Sequence, residues 1–265
     1  MNYRRSPFLA IFLIALLVPL VASAGPREDV AHLVRALGYG GAIHQFKNYV
    51  MRSEPRYREA TARSLAAAQG RLDALSRDAG LDAGDKAAVR DLVTTVAAYQ
   101  DALQQVADLK REGLPPDQVD RLVLIDDSAA VIALEALRAR WQWNDFEEME
   151  YLLGYGQAIH NFKNFVLRGH ERYDAEALEQ LLAVDALIAT QLAAEGIDDG
   201  DRVALEQLER VVHGYRDYLP LVDKLHAMQR PVRQIDLAVK VNDDPGIAGL
   251  AQLRKAGGYL EQARR

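Results

Sequence analysis

A histidine, a lysine, an asparagine and an arginine recur with one spacing at two places in the chain: His44, Lys47, Asn48 and Arg52, then His160, Lys163, Asn164 and Arg168. On a helix these positions fall at i, i+3, i+4 and i+8, which brings the four side chains towards one side. All four can donate hydrogen bonds, and two carry permanent charge. The chemistry they suit is recognition of a carboxylate or similar group on a small solute. They do not suit group transfer, because no nucleophile stands beside a base.

The spacing recurs because the chain contains itself twice. Leu37–Arg52 (LGYGGAIHQFKNYVMR) and Leu153–Arg168 (LGYGQAIHNFKNFVLR) lie 116 positions apart and agree at 12 of 16 positions. The same offset joins Arg56-Tyr57 to Arg172-Tyr173, Gly80 to Gly196, Tyr99 to Tyr215, Asp127 to Asp243 and Arg138 to Arg254. A unit of this size can bury a core of its own, and any site in one copy should have a partner in the other.

Alanine and leucine dominate, prolines sit at segment ends, and no window alternates apolar with polar residues as a half-buried strand would. The expected fold class is all-α: two tandem four-helix-bundle repeats, over residues 25–143 and 144–265. The first helix of each copy is expected over 27–52 and 144–168, the second from Pro55 or Glu171 to Gly80 or Gly196. The third follows caps at Asp82/Asp85 or Asp198/Asp201. The fourth is interrupted, running over 116–124 or 231–241 before a final helix. No glycine or proline interrupts Ala129–Leu153, so a long or slightly broken helix should join the copies. Against continuity, Asn144 and Glu147 have the spacing of a capping box. Pro220 should kink the third helix of copy two.

Read as one helix, residues 27–52 place Leu33, Leu37, Tyr39, Ile43, Phe46 and Val50 on an apolar arc of roughly 160–180°. Gly40, His44 and Lys47 fall inside that arc, as do Gly156, His160 and Lys163 in copy two. Desolvating an unpaired ammonium costs several kcal/mol. Each lysine must therefore reach a carboxylate, snorkel out, deprotonate or meet an anion. Candidate ion-pair partners are Asp127 and Asp101 for Lys47, and Asp243 and Asp217 for Lys163. Singly, each residue has a bland explanation: close packing at Gly40 and Gly156, satisfied core histidines, internal salt bridges for the lysines. The cluster repeated in both copies is more telling than any member.

The pattern GYGxxIHxFKNxVxR, with a following Arg-Tyr and a later hydrophobic-Asp-Asp segment, resembles the extracytoplasmic helical-bundle sensor regions of bacterial transmembrane receptors. Chemoreceptors, histidine kinases and diguanylate cyclases carry such regions. The resemblance covers one copy at a time. It implies a sensor-like module that binds a small ligand outside the cell, with two copies imitating a dimer. No second apolar run or output domain follows here, so a membrane receptor is expected as a separate partner.

Residues 1–24 look like a cleaved signal peptide: Arg4-Arg5, an apolar run over 8–21, and Ala22-Ser23-Ala24. The expected location is periplasmic. The absence of cysteine leaves the fold to packing alone and excludes thiol chemistry. A formal net charge of −6 argues against nucleic acid as a partner. No cofactor or metal is expected: covalent haem lacks its C-x-x-C-H motif, and each copy retains one histidine. Neither a G-x-S-x-G elbow nor a phosphate loop is present, so no catalytic residue is assigned and the chain is not expected to be an enzyme. The reading is a periplasmic, sensor-like binding module for a small anionic solute. The alternative is a structural or protein-interaction bundle in which the His/Lys/Asn cluster is an internal polar lock.

Overall fold

The computed structural model describes residues 25–263, with side chains to residue 255; the expected signal peptide lies outside the described residues. Within them the chain is all-α. The first copy forms α1 (Pro26–Leu37), α2 (Ala42–Arg52), α3 (Pro55–Arg77), α4 (Ala83–Arg111), α5 (Pro116–Leu122) and α6 (Ser128–Arg138). The second forms α7 (Asp145–Leu153), α8 (Ala158–Arg168), α9 (Glu171–Leu192), α10 (Asp199–Ala227), α11 (Val232–Ala238) and α12 (Asp244–Ala263). Prolines open α1, α3 and α5, where a missing N–H costs nothing. The expected aspartate caps are present: the Asp85 amide donates to Asp82 at 3.0 Å, and the Asp201 amide to Asp198 at 2.8 Å.

Two expectations about continuity need correction. The segment 27–52 is two helices, not one, and so is 144–168. The Gly-Tyr-Gly sequence breaks each, with Gly40 and Gly156 both at φ +76 in the left-handed region. These glycines are therefore turn formers as well as packing spacers: a Cβ would stand 3.0 Å from Ile247 at Gly40 and 2.6 Å from Val131 at Gly156. A long helix across Ala129–Leu153 does not form either. The chain leaves α6 at Arg138 and restarts at Asn144, whose side chain accepts from the Glu147 amide at 2.9 Å. The reciprocal bond, Asn144 N–H to Glu147, is 3.0 Å. The capping box outweighs the unbroken helix propensity of the flanks. Pro220 lies inside α10, which runs through it as one element.

Packing order is the same in both copies. Helices α1 and α2 pack on α3, α3 on α4, and α4 on α6; α7 and α8 pack on α9, α9 on α10, and α10 on α12. The copies meet through α1 against α7 and α2 against α8, with the short helices α5 and α11 each touching both α2 and α8. One apolar core runs through the chain, from Leu33, Ile43 and Leu92 to Met149, Ile159 and Leu208. At the centre the two Gly-Tyr-Gly turns meet backbone to backbone. A Cβ on Gly38 would stand 3.1 Å from Gly154 Cα and 2.5 Å from the Val34 carbonyl oxygen.

That approach predicts that Gly38→Ala, although conservative, costs about 1–3 kcal/mol by overpacking. Urea unfolding should show a lowered midpoint with an unchanged slope. An unchanged midpoint would mean that the turns do not touch.

Candidate functional site

The eight residues singled out by spacing separate into an inner layer and two open clefts. The inner layer lies where α2 meets α8. Lys47 and Lys163 are only 5% and 4% exposed, so both ammonium groups are held inside the helical interface. Lys47 Nζ lies 3.3 Å from Asp120 Oδ1. Arg168 of the second copy grips the same carboxylate with two bonds, 2.7 Å from Nε and 3.2 Å from Nη2. Its counterpart Arg52 donates twice to Asp236 of the second copy, at 2.9 Å each. Each arginine thus clasps a carboxylate belonging to the other copy, and each also donates to a tyrosine hydroxyl, Tyr57 or Tyr173. Such two-pronged pairing suits a guanidinium and a carboxylate removed from water.

The expected lysine partners need correction. Asp101 is exposed on α4, and Asp217 is exposed and lies 3.8 Å from Arg216. Asp127 and Asp243 instead face the histidines. The partner of Lys47 is Asp120, which with Asp236 is retained at the 116 offset. Among the described residues no carboxylate pairs with Lys163; its Nζ sits 5.9 Å from the Tyr215 ring centroid. Burial brings this ammonium down to about 8, with Asp243 opposing the shift and Arg52 adding to it. Burial would raise Asp120, but Lys47 and Arg168 hold it below the usual carboxylate range. Around both lysines remains a cavity of about 10 Å³, room for one water at most. The inner layer is closed.

Above it, each histidine meets an aspartate from the other copy. His44 Nε2 lies 3.1 Å from Asp243 Oδ2, while its Nδ1 accepts from the Gly40 amide at 3.1 Å. The amide contact places the ring proton on Nε2. Tyr39 and Tyr215 both donate to Asp243, at 3.1 and 2.5 Å. In the other copy Tyr99 donates to Asp127 at 3.0 Å, and His160 Nε2 is 3.7 Å away. Burial lowers both histidines and takes His160 to about 4, although Asp127 pulls the other way.

The clefts open beside these clusters. The first, about 610 Å³, lies between α2–α3 of copy one and the α11–α12 connection of copy two. It is lined by His44, Asn48, Arg52, Arg56, Tyr57 and the segment 240–244. The second, about 1000 Å³, uses the equivalent positions His160, Asn164, Arg168, Arg172, Tyr173 and 124–128. Asn48 and Asn164 are 2% and 3% exposed, and the Oδ1 of each has no hydrogen-bond partner. An orphaned buried acceptor costs about 1–3 kcal/mol, and here the same one occurs twice.

Sequence reasoning missed Asp120, Asp236 and the tyrosine pair Tyr57/Tyr173 as parts of the site. Their signal was identity at the 116 offset. Elsewhere, Asp185, Glu209 and His213 bring ligand atoms within 4.8 Å of one another. Asp185 is already bridged by His213 at 2.8 Å and Arg216 at 2.9 Å, and the guanidinium opposes a cation there. No protein-family model matches the chain, no curated protein matches its sequence, and no solved structure matches its fold. Among the described residues no helix is long and apolar enough to cross a membrane.

The buried neutral histidines give a pH signature. Between pH 6.5 and about 4 the unfolded chain binds a proton at residue 160 that the folded chain refuses. Stability contributed by this group is therefore present above 6.5 and falls as the pH drops towards 4, by about 3 kcal/mol in all. Melting temperatures measured from pH 7 to pH 4.5 should fall, and His160→Gln should flatten the slope. Equal slopes for the two proteins would show that His160 is not held neutral.

Proposed function

We propose that the protein is a binding module with two equivalent clefts for small polar solutes, each cleft built from both copies of the duplicated unit. The observation that carries this reading is the unpartnered Oδ1 of Asn48 and of Asn164, both nearly sealed from solvent, on two residues that line the walls of the open clefts. A bound solute that donates one hydrogen bond would relieve each orphan. An anionic group on the solute would meet Arg56, Arg63 and Lys240 at the first cleft. Export to the periplasm and presentation of the solute to a membrane receptor complete the proposal, and the resemblance to receptor sensor regions supports them. The two copies are read as tandem four-helix repeats whose first and last helices are broken, a reading supported by their shared packing order.

The polar-lock reading also has an observation in its favour: Asp120 held between Lys47 and Arg168. The two readings apply to different residues. Lysine and arginine hold the copies together, with the arginines also reaching the cleft walls, while histidine and asparagine line the clefts.

A thermal-shift screen of small carboxylates, phosphates and amines on the mature chain tests this division. Asn48→Leu and Asn164→Leu should abolish ligand-induced stabilisation at their own cleft. Lys47→Met should melt earlier yet keep its response to ligand. If no solute stabilises the wild type, or if Lys47→Met alone loses the response, the division fails.

A further inference from the structure

Equivalent positions of the two clefts carry different chemistry. Lys240, Asn242 and Ala60 at the first cleft are replaced by Leu124, Asp126 and Glu176 at the second. Each of these three makes the second cleft more acidic or more apolar, while Ser128 in place of Asp244 runs the other way. Of its cations, Arg168 is held by Asp120, Arg121 lies 3.1 Å from Asp117, and Arg172 donates to the Tyr173 hydroxyl at 2.7 Å, against the carboxylates of Asp126, Asp127 and Glu176. Leu124 and Ile132 form an exposed apolar rim, at 61% and 66% exposure.

The unmet hydrogen-bonding capacity differs as well. In the first cleft His44 Nδ1 is satisfied by the Gly40 amide, and Asp243 accepts from two tyrosines. In the second, His160 Nδ1 has no partner and Asp127 accepts from Tyr99. The Asn164 Oδ1 orphan matches that of Asn48 in the first cleft, where His44 Nε2, 3.1 Å from Asp243, also completes no hydrogen bond, so the Nδ1 atom is what sets the second cleft apart. A neutral imidazole nitrogen, an amide oxygen and a carboxylate are all acceptors. What satisfies three acceptors beneath an apolar rim is a group with several N–H donors and positive charge, attached to a hydrocarbon body.

We infer that the second cleft is a site for small organic ammonium ions bearing an apolar group, and that its counterpart does not take them. The inference rests on the reading of the clefts as binding sites and adds the ligand class for one of them. The probes are phenethylamine and, as the anionic control, benzoate. Binding is measured by calorimetry and by amide shifts in two-dimensional NMR spectra. The decisive variant combines Leu124→Lys with Asp126→Asn, which gives the second cleft two of the rim residues that the first already carries on the same fold. Phenethylamine should perturb amides lining the second cleft and should bind about ten-fold more weakly to the double variant. Asp101→Asn, exposed on α4 and lining neither cleft, should leave that affinity unchanged. If phenethylamine perturbs both clefts alike, or if the double variant binds it as well as the wild type, selection by charge is overturned while the clefts stand as sites. If neither phenethylamine nor benzoate perturbs either cleft, the binding reading falls with it.

Discussion

Charge withdrawn from water between the two copies is the constraint on which the rest depends. A carboxylate as buried as Asp120 would be strongly destabilising alone, as would the ammonium of Lys47. Together with Arg168 they form a closed triad in which each charge lies within 3.3 Å of an opposite one. Its counterpart joins Arg52 to Asp236. Since each arginine reaches into the other copy, neither copy satisfies its own buried carboxylate in full. The pairing therefore fixes how α2 lies against α8. Hydrophobic contact alone, between surfaces as uniform as these, would specify that geometry poorly.

From that fixed interface the clefts follow. The loops after α5 and α11 carry Asp127 and Asp243 across to the histidines of the opposite copy. The tyrosines hold those carboxylates in place, and the Asn48 and Asn164 side chains are left at the cleft walls. The duplication gave two clefts with one framework. Substitution at their rims then altered charge without touching the framework, because positions such as Leu124 and Lys240 are exposed and carry no packing role.

Much of this was legible in the sequence. The repeat offset, the all-helical class and the caps at Asp82, Asp198 and Asn144 followed from composition and spacing. So did the burial of both lysines, because the apolar arc left them nowhere else to lie. The break at Gly-Tyr-Gly was misread for a physical reason: on a wheel at constant pitch, residues 37–43 still fall on the apolar side. A left-handed residue at Gly40 resets the helical phase while keeping those side chains inward. The lysine partner was missed because Asp120 lies on a seven-residue helix between two prolines and a loop, a segment too short to show amphipathic periodicity. Pairing across copies could not be read from either repeat alone. It depends on how α2 and α8 face each other, and only tertiary packing decides that.

The most direct test of this account is a double-mutant cycle on Arg168 and Asp120, using Arg168→Met, Asp120→Leu and the combined variant in urea unfolding. A desolvated, two-pronged pair between the copies predicts a coupling energy of about 1.5–3 kcal/mol, with the double variant more stable than the sum of single losses implies. A coupling below about 0.5 kcal/mol, the level of an exposed surface pair, would contradict the claim that buried charge sets the arrangement of the two copies.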